Sequence, residues 1–348
     1  MRIAVINRSG GCFPDIIANG LSAMLIDEGC DVEIFPNAIP MLMRLLPLYK
    51  RPLHWRNKLH FRIRNKIKYY LSDLKLIRNL KKYDAVIICE CLPNAYWKHY
   101  LDIESLKLII QKPVLCYTDN IAASPLHRLN LLAPYDYNED RYFLNLCLSN
   151  TVEIKTEHPK CVEIGLYLSS SGLIPVEKKE FCALIDFEQP GYESYRAQQI
   201  RVLQKLNIPF VVLEGSYTIN EIRALYQKSA LFFLAFPETF GLPIAECLST
   251  GCKIFTPNSS WPMAWRLNAE PRPWGMGELP ECFQVYETDE ELEIALIEFK
   301  LKYHAVNTPI EIHDIFMKHY AHYYHGNRNA LQLALEMIRR SIANYSLH

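Results

Sequence analysis

Two glutamates, Glu238 and Glu246, stand eight positions apart in the stretch FPETFGLPIAECLSTGCKIFTP, residues 236–257. Carboxylates accept hydrogen bonds, and hydroxyl pairs on sugar rings donate them. Between the two acids lie Gly241 and Pro243. A glycine lets the backbone come close to a ligand, and a proline suits the first turn of a helix. The stretch therefore predicts a helix beginning near Leu242, whose unpaired amides and positive end attract an anion. Anion-binding amides flanked by two hydroxyl acceptors suit a ligand that carries phosphates between two polyhydroxyl rings. A nucleotide-sugar has that chemistry.

Something must hold these groups at one edge. Upstream of them ALFFLAF reads as a buried strand, and downstream CKIFTP reads as another. The same alternation runs through the second half. FCALIDF and IPFVVLEG are strands, and YESYRAQQIRVLQKL places Ile200, Leu203 and Leu206 at helical spacing. TINEIRALYQKS opens with a capping box from Thr218 to Glu221, and TDEELEIALIEF with another from Thr288 to Glu291. CFQVYE is a further strand. In the first half RIAVIN, CDVEIF, YDAVIICE, PVLCYTDN and CVEIGLYL read as strands, with a helix over FPDIIANGLSAMLIDEG that Gly29 can close. Repeated β-α alternation predicts parallel sheets with helices on both faces. The fold class expected is α/β, with two Rossmann-like doubly wound domains facing across a cleft. The connector SSSGLIPVEKKE, 169–180, divides them. The domains expected are 1–170, 171–325 and a C-terminal helix over 326–348 that packs back on the first.

In such sheets ligands bind beyond the carboxyl ends of the strands. Glu238 falls in the loop after one strand and Glu246 about a turn into the next helix. PETFGLPIAECLSTG also resembles the E-x7-E signature of retaining GT-B glycosyltransferases, especially their large family 4 group. GGCFPDIIANGLSAMLIDEGCDVEIF resembles the glycine turn, first helix and second strand of their N-terminal domain, and the order of elements from about 180 to 300 follows the family. The resemblance implies that Glu238 lies beside the donor sugar and its phosphate, and that Glu246 accepts from the ribose hydroxyls. It implies that the backbone of Thr239, Phe240, Gly241 and Leu242 lines the sugar-diphosphate, and that Gly10 and Gly11 approach the phosphates from the opposite domain.

In one respect the chain departs from that family, whose members place an Arg and a Lys after the first strands of the C-terminal domain to neutralise the leaving diphosphate. The corresponding loop here reads DFEQPGYESYR, with Asp186 and Glu188 before any cation. Arg196 is the first candidate replacement, followed by Lys205 and Arg8. Asp119 and Asn120 end a first-domain strand at the expected crevice. Asp119 could orient the acceptor hydroxyl or act as a base, and His127 in the same loop could touch the donor sugar. The competing readings are a capping residue for Asp119 and an ordinary loop residue for His127.

The chain has no net charge, but residues 44–82 hold thirteen basic residues against Asp73 alone, so the segment carries +12 and the remainder −12. Leu59, Ile63, Ile67, Leu71, Leu74 and Ile77 recur at helical spacing among those cations. A basic amphipathic helix suits an anionic membrane surface and a lipid-linked or saccharide acceptor. Nucleic acid is the alternative partner, since some enzymes of this broad fold glucosylate modified DNA bases. A solvated helix covering the first sheet is the third reading.

Eleven cysteines without a CxxC read as buried free thiols, which favours the cytoplasm as the location, with peripheral attachment at the membrane's inner face. His313, His319, His322 and His325 lack the spacing of a known metal site, and neither metal nor other cofactor is expected. The function expected is glycosyl transfer from a nucleotide-sugar. Transfer to modified DNA bases, or nucleotide-sugar binding without turnover, are the alternatives.

Overall fold

The computed structural model describes residues 1–7, 12–35, 75–89, 103–120, 142–149, 161–238, 240–267 and 277–345. Two parallel sheets form. The first contains β1 (Arg2–Asn7), β2 (Asp31–Phe35), β3 (Ala85–Cys89), β4 (Val114–Asn120), β5 (Leu144–Ser149) and β6 (Cys161–Glu163), in the order β2-β1-β3-β4-β5-β6. The second contains β7 (Glu180–Ile185), β8 (Phe210–Val212), β9 (Ser229–Phe233), β10 (Lys253–Thr256) and β11 (Phe283–Val285), in the order β11-β10-β9-β7-β8. Every pairing is parallel.

The inner strands β1, β3, β7 and β9 are apolar on both faces, as a sheet sandwiched by helices requires. Ile3 and Val5 point into one cluster with Ile17, Leu21 and Leu25 of α1 (Cys12–Asp27). Ala4 and Ile6, one residue out of phase, join Leu106 and Ile110 of α2 (Ile103–Ile110) on the other face. In the second sheet Ala183, Ile185, Leu231 and Phe233 pack on Val202 and Leu203 of α3 (Glu193–Lys205) and on Leu292 and Leu296 of α6 (Asp289–Lys302). Its opposite face takes α4 (Ile219–Lys228) and α5 (Leu242–Ser249). Both capping boxes form, Thr218 with Glu221 and Thr288 with Glu291, each contributing about 1 kcal/mol to its helix start.

CVEIGLYL behaves differently from a single strand. Only Cys161–Glu163 joins the sheet, and residues 164–168 cross toward the second domain. There the chain pairs with its own return path: Leu166 N donates to His322 O at 3.0 Å, Leu168 N to Tyr324 O at 2.9 Å, and Gly326 N to Leu166 O at 3.0 Å. A Cβ on Gly165 would lie 2.1 Å from the His322 carbonyl oxygen, so only glycine allows this approach. The return path comprises α7 (Asn307–Tyr320), α8 (His322–His325) and α9 (Arg328–Tyr345). Leu331, Leu335 and Ile338 of α9 are buried, and its first turns meet α1 through Arg328–Asp27 at 2.8 Å and Gln332–Glu28 at 3.0 Å.

Eight cysteines among the described residues are buried and form no disulfide. No helix among them is long and apolar enough to cross a membrane.

Candidate functional site

In each sheet the strand order reverses beside the domain's first strand. In the second sheet β8 lies on one side of β7, and β9, β10 and β11 extend on the other. A crevice opens at such a reversal, beyond the carboxyl ends of the two strands that flank it. Those strands are β7 and β9, and their ends touch: Asp186 N donates to Phe233 O at 3.1 Å. The segments leaving this point are 186–192 and 234–241. Glu238 lies in the second, and helix α5 follows it.

Gly241 caps α5 with φ +65° and ψ +91°, and Pro243 occupies its first turn. A Cβ on Gly241 would sit 2.8 Å from Ile244 Cδ1 and 3.3 Å from Glu238 Cβ, so the loop folds tightly back against the helix start. Glu238 is half-buried there. The first bond inside the helix runs from Ile244 N to Gly241 O at 2.9 Å. The amides of Gly241 and Leu242 precede it, at the positive end of the helix dipole.

This loop is braced from behind. The Trp265 indole Nε1–H donates to Phe240 O at 2.6 Å, and the two rings stack with centroids 5.5 Å apart. Tyr320 donates its hydroxyl to the Trp265 carbonyl, and Tyr323 donates to Ala264 O at 3.1 Å while its ring meets Phe240 edge-on. The Tyr323 hydroxyl is also hydrogen-bonded with Ser149, at the carboxyl end of β5. One tyrosine thus links the strand edge of the first sheet to the loop of the second. At its other end α5 is anchored by buried Lys179, whose Nζ donates to Thr250 O at 2.9 Å and Thr250 Oγ1 at 3.0 Å. A cation at a helix C-terminus also complements the dipole.

Glu246, on the third residue after Pro243, is buried with its side chain 3 % exposed. Arg223 of α4 reaches it, with Nε 2.8 Å and Nη2 2.7 Å from the same oxygen, Oε1. Burial pushes the Glu246 carboxyl above its ordinary range, and the guanidinium pulls it back.

Asp186, at the end of β7, is fully buried. Burial lifts its pKa from 3.8 to about 7, against the opposing pull of the Phe187 amide, 2.8 Å from Oδ1, and of Arg196. Arg196 itself is 8 % exposed. Its contacts are Leu213 O at 3.0 Å, Glu188 at 3.3 Å and Glu214 at 3.4 Å, so its charge already faces two carboxylates. Lys205 pairs with Glu293 on the outside of α3 and α6. Gln199 ties the same strand ends together through Leu234 O at 2.7 Å and the Tyr286 hydroxyl at 2.8 Å.

The structure thus gathers Glu238, Phe240, Gly241, Leu242 and Glu246 around the start of one helix. Asp119 lies in β4, one residue before its carboxyl end at Asn120. Gly10, Gly11, Thr239 and His127 fall outside the described residues, as does most of segment 44–82. Arg223 carried no signal in the sequence, because its partner lies 23 residues away on another helix. The histidines have structural partners: His313 Nδ1 meets Ser249 O at 2.9 Å, and His322 pairs with Glu163 at 3.3 Å and packs on Tyr323. Among the described residues no group of His, Cys, Asp and Glu has a metal-binding arrangement.

No family model matches the sequence. No curated protein matches it either. Solved structures do resemble it in fold. An alpha-glucosyltransferase in complex with UDP and a 13-mer DNA containing an HMU base superposes with a TM-score of 0.58 at 9 % identity, covering 97 % of this chain and 99 % of that one. An alpha-glucosyltransferase in complex with UDP-glucose and DNA containing an abasic site gives 0.56 at 9 % identity over the same shares. The two-domain, parallel-sheet architecture is the GT-B fold.

Proposed function

We propose that the chain is a GT-B glycosyltransferase that moves a sugar from a nucleotide-sugar to an acceptor hydroxyl with retention. The observation that carries this reading is the placement of Glu238 and Glu246 about the start of α5, at the strand reversal of the second sheet. In it the diphosphate lies against the amides at 240–242, Glu238 holds donor-sugar hydroxyls and Glu246 holds the ribose. The reaction places growing negative charge on the leaving diphosphate. Preorganised amides and a helix dipole at that point lower the barrier, since each well-aimed donor is worth roughly 3 kcal/mol in such sites. Asp119, from the first domain, orients the acceptor hydroxyl. The nucleotide-sugar is substrate, and the reading uses no metal or other cofactor.

The acceptor proposed is a membrane-associated or lipid-linked saccharide, reached from the cytoplasmic face through the +12 segment 44–82. A DNA acceptor is the second reading, favoured by the DNA held in the structures of similar fold and by the same basic charge. Both share the donor site, and sedimentation with anionic vesicles against a duplex gel shift at matched salt separates them.

The test of the donor chemistry is release of nucleotide from UDP-glucose and other nucleotide-sugars. The wild-type chain releases nucleotide and Glu238→Ala loses at least about a hundredfold of that rate. Turnover by the variant at the wild-type rate would remove Glu238 from the mechanism, and tight binding with no release would make the chain a binder alone.

A further inference from the structure

We propose that Arg223 is a positioning residue that fixes Glu246 with its Oε2 edge presented to the ribose, and so makes the site select ribonucleotides over their 2′,3′-dideoxy counterparts. The proposal rests on the donor-site reading above.

The geometry of the pair points to this role. A guanidinium that grips a carboxylate for stability alone usually binds fork to fork, one N–H on each oxygen. Here Nε and Nη2 converge on Oε1. The guanidinium sits to one side of the carboxylate, and among the described residues no donor reaches Oε2. An ionised carboxylate is acceptor-only, which matches the two O–H donors of a ribose diol. The burial is one-sided too: the Glu246 side chain is 3 % exposed, whereas Arg223 is 19 % exposed.

Arg223 can hold this pose because α4 is itself fixed. Its capping box sets the helix start, and Ile222 and Tyr226 bury its inner face. Other groups turned toward α5 have different partners. Lys179 holds Thr250, His313 of α7 meets the Ser249 carbonyl, and His322 of α8 pairs with Glu163. Cys247, the neighbour of Glu246, is a fully buried thiol pushed well up by burial and stays neutral. Arg223 is therefore the cation that acts on this carboxylate among the described residues.

The experiment is calorimetric titration with UDP, GDP, ADP and CDP. The tightest binder is then compared with its 2′,3′-dideoxy form in wild type, Arg223→Lys and Arg223→Gln between pH 6 and 8. Wild type prefers the ribonucleotide by about tenfold or more, the worth of hydrogen bonds to a charged acceptor, at every pH. In Arg223→Gln burial is no longer opposed, so the Glu246 carboxyl is pushed further up and Oε2 loses its fixed aim. The ribonucleotide preference falls at least about threefold, more at the acid end than at the basic end, while dideoxynucleotide affinity stays at the wild-type value. Arg223→Lys keeps part of the preference. An Arg223→Gln preference equal to wild type at all pH values overturns the proposal. Equal weakening of both ligands does so as well, because it marks a purely structural pair. Wild type that binds nucleotide without ribose preference refutes this proposal while leaving the donor site standing. Wild type that binds no nucleoside diphosphate removes both.

Discussion

Arg196 and Arg223 stand on consecutive helices of the second domain, and each is paired with glutamate, yet the two pairs are built in opposite ways. At Arg196 the cation is buried and its partners, Glu188 and Glu214, are 54 % and 78 % exposed. Water screens those carboxylates, and the arginine is held chiefly by the Leu213 carbonyl and by packing at the ends of β7 and β8. At Arg223 the carboxylate is buried and the cation reaches the surface. The first arrangement uses an arginine to close a sheet edge. The second uses one to oppose the effect of burial on an acid. An arginine near a phosphate site is thus not automatically a phosphate ligand, because what matters is which member of the pair has lost its water.

Removing one member of each pair tests this contrast. Arg223→Gln leaves the buried Glu246 without its partner and lowers stability by about 3 kcal/mol, measured by denaturant unfolding. A loss below about 1 kcal/mol would make the two pairs equivalent.

Asp186 sharpens the Arg196 side. Its pKa in the fold is raised from 3.8 to about 7, so between those values the folded chain binds more protons at this site than the unfolded chain. Its contribution is full below about pH 4, falls by up to about 1.4 kcal/mol per pH unit as pH rises, and levels off above about pH 7. Asp186→Asn flattens that slope. An unchanged profile would show that Arg196 fully offsets the burial. The smallest effect belongs to Glu214→Ala, which removes an exposed carboxylate and changes stability by less than about 1 kcal/mol in the same assay.

Much of the frame was legible in the sequence because it rests on local rules. The strands β1, β4 and β9, both capping boxes and the proline-led start of α5 all follow from periodicity and capping chemistry within a few residues. The candidate site could be read as a local pattern for the same reason: Glu238 and Glu246 flank Gly241 and Pro243 within one loop and one helix. At least three elements escaped, α2 among them. LNLCLS, which forms β5, carries an asparagine among its apolar residues, and NTPIEIHDIFMKHY, which forms α7, puts a proline in its first turn. What local rules could not give was the assignment of partners. Arg196 was the expected phosphate cation, and its contacts are Glu188, Leu213 and Glu214, brought together by sheet order. The Arg223–Glu246 pair, the Trp265 clamp on Phe240 and the return of 322–327 onto 164–168 join residues 23 to about 160 positions apart. Such contacts are products of topology, which no short stretch encodes.

The proposed resting place of the sugar-diphosphate is the start of α5. Crystals of the full chain soaked with UDP test it most directly. Difference density is expected with the diphosphate against the amides of 240–242 and the ribose hydroxyls within about 3 Å of Glu246. A nucleotide bound elsewhere on the molecule, with the start of α5 left open to water, would contradict it.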